Sequence, residues 1–299
     1  MKQYIILLLC LFLSITLFKA QEKDLNYRFF YELKYRSDTI LNRYSSELYV
    51  LDLNIKNQTS YFYGGNMIKN DSILNKLKSS VDGFSINFND LKKSYIKEVI
   101  SLNKKDKNIT VYDVIDGNLF KYNQSLNYSW SLESGRTEDV LNYKSFGAKT
   151  ELNGREWIAY YTPQLPLSYG PYKFSGLPGL ITKIQDTKGD FEFVLVAIEK
   201  NQYKNPTESN RYIETEENKV MVYYDQYLAD PGKSMREGVI TSENGTKFIM
   251  NGGVPKNVID DKINRTYKSL VDTYICLEPL SKKCSIEHKY VKRKLSRSQ

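Results

Sequence analysis

Apolar and polar residues alternate at period two along much of the chain, the signature of strands with one buried face. Phe29-Phe30-Tyr31-Glu32-Leu33-Lys34-Tyr35 is the first such run. Glu47–Leu53 and Thr59–Tyr63 follow, on either side of a turn near Lys56-Asn57. Asn108–Val114 and Asn118–Tyr122 flank Asp116-Gly117, a dipeptide that takes the two positive φ angles of a tight hairpin. Asn127–Leu132, Asp139–Phe146 and Arg155–Thr162 read as further strands. Leu180–Gln185 and Phe191–Ile198 read as a hairpin reversing over Asp186–Asp190. Period 3.6 is rarer. A short helix is expected over Asn70–Ser79. A longer one carries the stripe Val220, Tyr223, Tyr224, Tyr227, Leu228, with Thr215 as its cap and Asp230-Pro231-Gly232 as its stop. The expected fold is mainly β, in the α+β sense: a large curved antiparallel sheet with a few peripheral helices. Twenty-five tyrosines and thirteen phenylalanines favour strands over a helical bundle.

The central segment breaks the alternation. Half of the chain's eight prolines fall between Pro163 and Gly179, so this stretch cannot be regular structure. Leu177-Pro178-Gly179-Leu180 has the residues of a type II turn, with proline setting φ and Gly179 expected at positive φ. Tyr169, Tyr172 and Phe174 lie on this stiff loop, and Trp157, Tyr160 and Tyr161 on the strand before it. Aromatics so placed either offer contact area to a ligand or close one end of the sheet core. Trp157, Tyr161, Tyr169, Tyr172 and Phe174 are the candidate ligand-binding residues.

The run Tyr161–Ile181, with Tyr169-Gly170-Pro171 and Gly176-Leu177-Pro178-Gly179-Leu180-Ile181, resembles the signature of the GLPGLI family, exported proteins found mostly in Bacteroidota. The similarity is strongest over residues 143–198. It implies an envelope or secreted location and no particular reaction. Asp38-Thr39-Ile40 and Asp71-Ser72-Ile73 resemble O-glycosylation sequences of such proteins.

The ends of the chain sharpen this picture. Lys2, the apolar run Ile5–Leu17 and Ala20 read as a signal peptide over residues 1–20, leaving Gln21 first. No later run is long and apolar enough to span a bilayer. The expected organisation is therefore a leader (1–20), one β-rich domain (21–280) and a basic tail (281–299). The net charge of +8 resides in the leader, with Lys2 and Lys19, and in the tail, with seven Lys and Arg against Glu287. Residues 21–280 are balanced, which argues against a nucleic-acid footprint; the tail reads as a solvated, frayed end.

Chemistry is sparse. His288 is the only histidine, so Ser-His-Asp and Cys-His sites lack their base. Cys276 and Cys284 can form a disulfide after export. With His288 they make three metal ligands where a structural zinc site needs four, so no metal or cofactor is expected. Carboxylate pairs are the remaining route to hydrolysis, with Glu133, Glu138, Asp139, Glu151 and Glu156 available and nothing in the sequence to bring two together. No catalytic residue is assigned. The expected role is a non-catalytic binding or assembly module of the periplasm, outer membrane or secreted fraction, its partner an envelope protein or small ligand. A carboxylate hydrolase and a structural accessory of an outer-membrane transporter are the alternatives.

Overall fold

The computed structural model describes residues 26–38, 41–70, 94–105, 108–200, 203–208, 210–241, 247–249, 253–272 and 276–296. The expected leader, the expected helix beyond Asn70, the Asp71-Ser72-Ile73 pattern, Thr39 and Ile40 lie outside these residues.

Among the described residues the fold is mainly β, built on one sheet of twelve strands made from two meanders. The first runs β1 (Asn26–Asp38), β2 (Arg43–Asn54), β3 (Thr59–Gly64), β4 (Val99–Asn103), β5 (Asn108–Ile115) and β6 (Asn118–Gln124). The second runs β7 (Ser131–Val140), β8 (Tyr143–Leu152), β9 (Arg155–Thr162), β10 (Leu180–Asp186) and β11 (Phe191–Lys200). β11 returns to the first strand, placing Leu33 opposite Phe193. The order is therefore β6-β5-β4-β3-β2-β1-β11-β10-β9-β8-β7, with β12 (Ile213–Glu214) added beside β6. β12 pairs in parallel, so the sheet is mixed where an antiparallel one was expected. A separate hairpin joins β13 (Val239–Thr241) and β14 (Lys247–Ile249).

Topology forces the sheet to curve. β6 and β7 stand ten strand spacings apart in the order, about 48 Å in a flat sheet. Residues 125–130 join them, a reach of about 25 Å when fully extended. The two wings must therefore curl towards each other, although the sheet does not close. The concave face is the core: Phe29, Tyr31, Leu33, Tyr49, Leu51, Leu53, Phe62, Trp157, Phe191 and Phe193 alternate into it. Val50, Tyr61, Tyr63 and Val99 face outward, covered by Met67, Ile68 and Tyr203. There Asp52, fully buried, is held by Arg28 Nε at 2.8 Å and Tyr63 Oη at 2.7 Å.

The mouth is filled by helices. α1 (Glu217–Ala229) buries Val220, Met221, Tyr224 and Leu228. It begins after Glu216, not Thr215, because the Thr215 N–H donates to the Lys121 carbonyl and prolongs the β12 pairing. α2 (Lys233–Arg236) is a single turn. α3 (Lys256–Asp272) and α1 both pack on α4 (Lys282–Ser296). α4 corrects the expectation of a frayed tail: Tyr290 and Val291 are buried, and Lys283 and Lys289 pair with acids of the body.

Two strand expectations also change. Residues 125–130 are an irregular crossover that packs Leu126, Tyr128 and Trp130 on the core. The run Asp139–Phe146 is interrupted at Leu141-Asn142, whose φ angles of 50° and 65° make a hairpin turn between β7 and β8. β7 is an open edge. Its pairing with β8 shifts between Glu133 and Thr137, around Gly135 at φ 93°. A bulge and charged side chains blunt such an edge against intermolecular pairing.

Candidate functional site

The most organised irregular region is the proline-rich loop between β9 and β10. It folds on itself, with Tyr169 bridging Ser175 and the Gly176 N–H donating to the Ser168 carbonyl at 3.3 Å. The crossover grips it from outside. Trp130 Nε1 donates to the Ser175 carbonyl at 2.8 Å, and Tyr128 Oη accepts from the Ser175 N–H at 2.9 Å. From beneath, Tyr31 Oη donates to the Ile181 carbonyl at 2.7 Å.

The glycines act differently from the type II turn expected. Gly176 carries the positive φ, 98°, and Gly179 does not. Gly179 is required by proximity: a Cβ there would overlap the Thr162 carbonyl and the Pro163 nitrogen. Gly179 N–H donates to the Leu177 carbonyl at 2.8 Å, and Leu180 N–H to the Leu165 carbonyl at 2.9 Å. The motif thus lays one backbone against another where β10 departs from β9.

Of the candidate aromatics, Trp157, Tyr172 and Phe174 come into ring contact, while Tyr161 packs on Phe146. Trp157 and Phe174 meet edge-on at 5.0 Å between centroids. Trp157, Tyr161, Tyr169 and Phe174 are buried, so they close one end of the core and present no open aromatic face. Lys104, from the β4–β5 turn, sits 4.2 Å from the Tyr169 ring centroid and joins the opposite wing to the loop; burial pushes its ammonium below the ordinary value. Tyr172 alone of the five is only half-buried, and its φ of 56° is rarely adopted by a bulky residue.

Sequence reading missed what anchors this loop. Glu278 Oε1 accepts from Lys173 Nζ at 2.6 Å and Tyr172 Oη at 2.7 Å, while its Oε2 accepts from Asn153 Nδ2 at 3.0 Å. Both members of the Lys173–Glu278 pair are buried. Two further charge clusters, one buried and one half-buried, use the same stretch of chain. Arg155 holds Asp186 and, at 3.0 Å, Asp190, and donates to the Cys276 carbonyl at 2.8 Å. Lys283 holds Glu98 and, at 2.8 Å, Asp113. Residues 276–287 therefore form a strap from the β9–β11 wing to the β4–β5 wing, locked by the Cys276–Cys284 disulfide and by Tyr224 Oη donating to Glu287 at 2.7 Å. Burial opposes ionisation of Glu98, but the charge and hydrogen bond of Lys283 outweigh it and hold the carboxyl at about 2. The acids considered from sequence lie elsewhere. Glu133 pairs with Arg136 and Lys149, and Glu138 with Lys183. Asp139 on β7, Glu151 on β8 and Glu156 on β9 are exposed.

Residues 100–183 match a family model described as a protein of unknown function (Porph_ging). The match runs from β4 through the crossover and the loop into β10. No curated protein matches the chain. Among solved structures, PNGF-II is similar over 67% of this chain and 33% of its own, at 13% identity and a TM-score of 0.46. The chain thus corresponds to about a third of that protein. An uncharacterized conserved protein from Thermus thermophilus is similar over 65% of this chain and 91% of its own, at 9% identity and a TM-score of 0.34. A putative outer membrane lipoprotein-sorting protein domain from Vibrio parahaemolyticus is similar over 60% and 87%, at 7% identity and a TM-score of 0.23.

Three measurements check this geometry. Gly179→Val is expected to cost about 2–3 kcal/mol of stability and to lower the urea midpoint well beyond Ser175→Ala; equal midpoints would refute the close approach. Glu278→Ala strands a buried ammonium and is expected to cost about 3 kcal/mol, while Lys173→Met with Glu278→Leu recovers most of it. A double variant no better than the single one would contradict that account. The third concerns pH. A carboxyl held below its unfolded value stabilises the fold above that value and ceases to do so as pH falls through the folded one. For Glu98 the window runs from its ordinary 4.5 down to about 2. Glu98→Gln is expected to flatten the acid limb of stability there; an unchanged slope rules out this pair as its source.

Proposed function

We propose that the chain is an exported cell-envelope protein of GLPGLI type that works as a non-catalytic binding or assembly module, with one domain running from residue 21 to the end of α4. The observation that carries the non-catalytic reading is the commitment of the buried and half-buried carboxylates to cations. Asp186 and Asp190 share Arg155, and Glu98 and Asp113 share Lys283. A hydrolase built on a carboxylate pair needs one carboxyl kept protonated near neutral pH. Lys283 acts in the opposite sense on Glu98, which at about 2 is ionised throughout the physiological range. The Lys283 pairs tie the strap to the β4–β5 wing, and Arg155 ties it to β9 through the Cys276 carbonyl.

Export is supported by the leader pattern, by the GLPGLI signature and by a disulfide between Cys276 and Cys284, a bond that persists in oxidising compartments. Binding is supported by the construction of the loop: a rigid, internally bonded element at the mouth, with Tyr172 held at its rim in an unfavourable backbone conformation. Such conformations persist where surrounding structure imposes them, and they cluster at sites of function. The contact surface is then Tyr172 and its neighbours rather than Trp157, Tyr161, Tyr169 and Phe174, which support it from within.

The reading is tested by fractionating cells that express the full chain and sequencing the N-terminus of the recovered protein. A mature form beginning at Gln21 in the envelope or medium is expected. Material retained in the cytoplasm and beginning at Met1 would overturn export. Immobilised mature protein, compared with its Tyr172→Ala variant on envelope extract, addresses binding. A protein or small molecule retained by the first and lost by the second is expected, and identical recoveries would overturn the assignment to the loop.

A further inference from the structure

His288 lies one helical turn beyond Cys284 on α4, with its Nε2 turned towards the disulfide. The nitrogen is 3.7 Å from Cys276 Sγ and 3.8 Å from Cys284 Sγ. All three ligand atoms lie within 4.8 Å of one another. A tetrahedral zinc ion, with Zn–S about 2.3 Å and Zn–N about 2.0 Å, sets sulfur and nitrogen roughly 3.5 Å apart and two sulfurs roughly 3.8 Å apart. The nitrogen–sulfur separations already approach those of a bound ion. Only the two sulfurs must part, and breaking their bond permits it.

We propose that Cys276, Cys284 and His288 form a redox-gated site for a thiophilic metal cation of the zinc class, closed as the disulfide and opened by reduction. This is independent of the binding role argued for the loop. The reductant is a dithiol. One of its thiolates attacks a sulfur of the disulfide, and its second resolves the mixed disulfide. It leaves as its own disulfide, having passed two electrons and two protons to Cys276 and Cys284. The cation then displaces both thiol protons to solvent and takes two thiolates with neutral His288 Nε2. The fourth position remains for water or an incoming ligand, the arrangement of catalytic and exchangeable zinc sites rather than structural ones. For that reason the lack of a fourth protein ligand does not exclude a site here.

Two features suit the thiolate form. Cys284 lies in the first turn of α4, where its N–H donates to Ser281 Oγ at 3.2 Å and the helix dipole favours negative charge. Cys276 stays in place when the disulfide opens, because its carbonyl accepts the hydrogen bond from Arg155. Reduction therefore frees the sulfurs without releasing the strap from β9.

The test uses cobalt(II) as probe. The full mature chain is reduced with a phosphine, desalted under nitrogen and titrated. One equivalent of cobalt is expected, with a thiolate charge-transfer band in the near ultraviolet, tetrahedral d–d bands in the visible, and displacement by zinc. The disulfide form should take up none. His288→Ala should weaken affinity at least about tenfold, the lower bound set by the loss of a supporting group alone, and shift the visible bands; Cys284→Ser should abolish the charge-transfer band. Far-UV circular dichroism follows α4 through reduction and loading. Failure of the reduced chain to bind cobalt stoichiometrically would overturn the proposal, whether or not α4 persists. A His288→Ala titration indistinguishable from the parent would overturn it as well.

Discussion

The short crossover from β6 to β7 is the constraint on which the structure depends. A meander can extend a sheet indefinitely, but a chain that leaves β6 and reaches β7, ten strand spacings away, in six residues cannot serve a flat sheet. Curling follows from reach alone. It creates a concave face, which accounts for the aromatic content: a curved sheet needs large side chains to fill its interior, and Phe29, Tyr31, Tyr49, Phe62, Trp157, Phe191 and Phe193 supply them. It also places the crossover beside the proline-rich loop, so Tyr128 and Trp130 can bond to Ser175 across 45 or more residues of sequence.

A curled sheet that does not close leaves two wings to be held. The chain does this with charge. Lys283 of the strap meets Glu98 and Asp113 of the β4–β5 wing, and Glu278 of the strap meets Lys173 of the loop, while Arg155 pairs with Asp186 and Asp190 within its own wing and reaches the strap through the Cys276 carbonyl. Buried pairs add little net stability over apolar residues of the same shape, since desolvation offsets most of the attraction. Their contribution is registry. An apolar strap could slide along an apolar mouth, whereas a misplaced one here would leave several charges buried and unpaired. Lys283 and Lys289 of the basic C-terminus are thus paired with acids of a body that is itself balanced in charge.

What was legible in the sequence was local. Asp116-Gly117 makes the β5–β6 turn, with φ of 49° and 71°, and Arg155–Thr162 is β9 as its alternation indicates. The α1 stripe and its stop at Asp230 are also as read. Three kinds of feature were obscured. Leu141-Asn142 turns the chain with a leucine at positive φ, a choice that local preference disfavours and the paired strands β7 and β8 impose. β4 is short and carries only Val99, Ile100 and Leu102 as apolar residues, too few to mark a strand without its neighbours. α4 hides Cys284, Tyr290 and Val291 among lysines whose partners are distant in sequence. α3 was the avoidable loss: Ile259, Ile263, Tyr267 and Leu270 recur at helical spacing after Pro255.

The same distinction governs the site. Glycine and proline announced the loop because they specify backbone shape locally, yet which glycine serves which purpose depended on a neighbour that sequence does not reveal. Gly176 satisfies a dihedral; Gly179 satisfies the approach of Thr162. Likewise the aromatic cluster was visible as a cluster, but whether its rings face solvent or core is set by the crossover above and Lys104 from the far wing. Once those cover it, most of the cluster becomes support, and the one half-buried member is Tyr172, tied through Glu278 to the strap. A ligand that shifts Tyr172 must therefore disturb the hydrogen bond to Glu278, and through it the segment that holds the two wings.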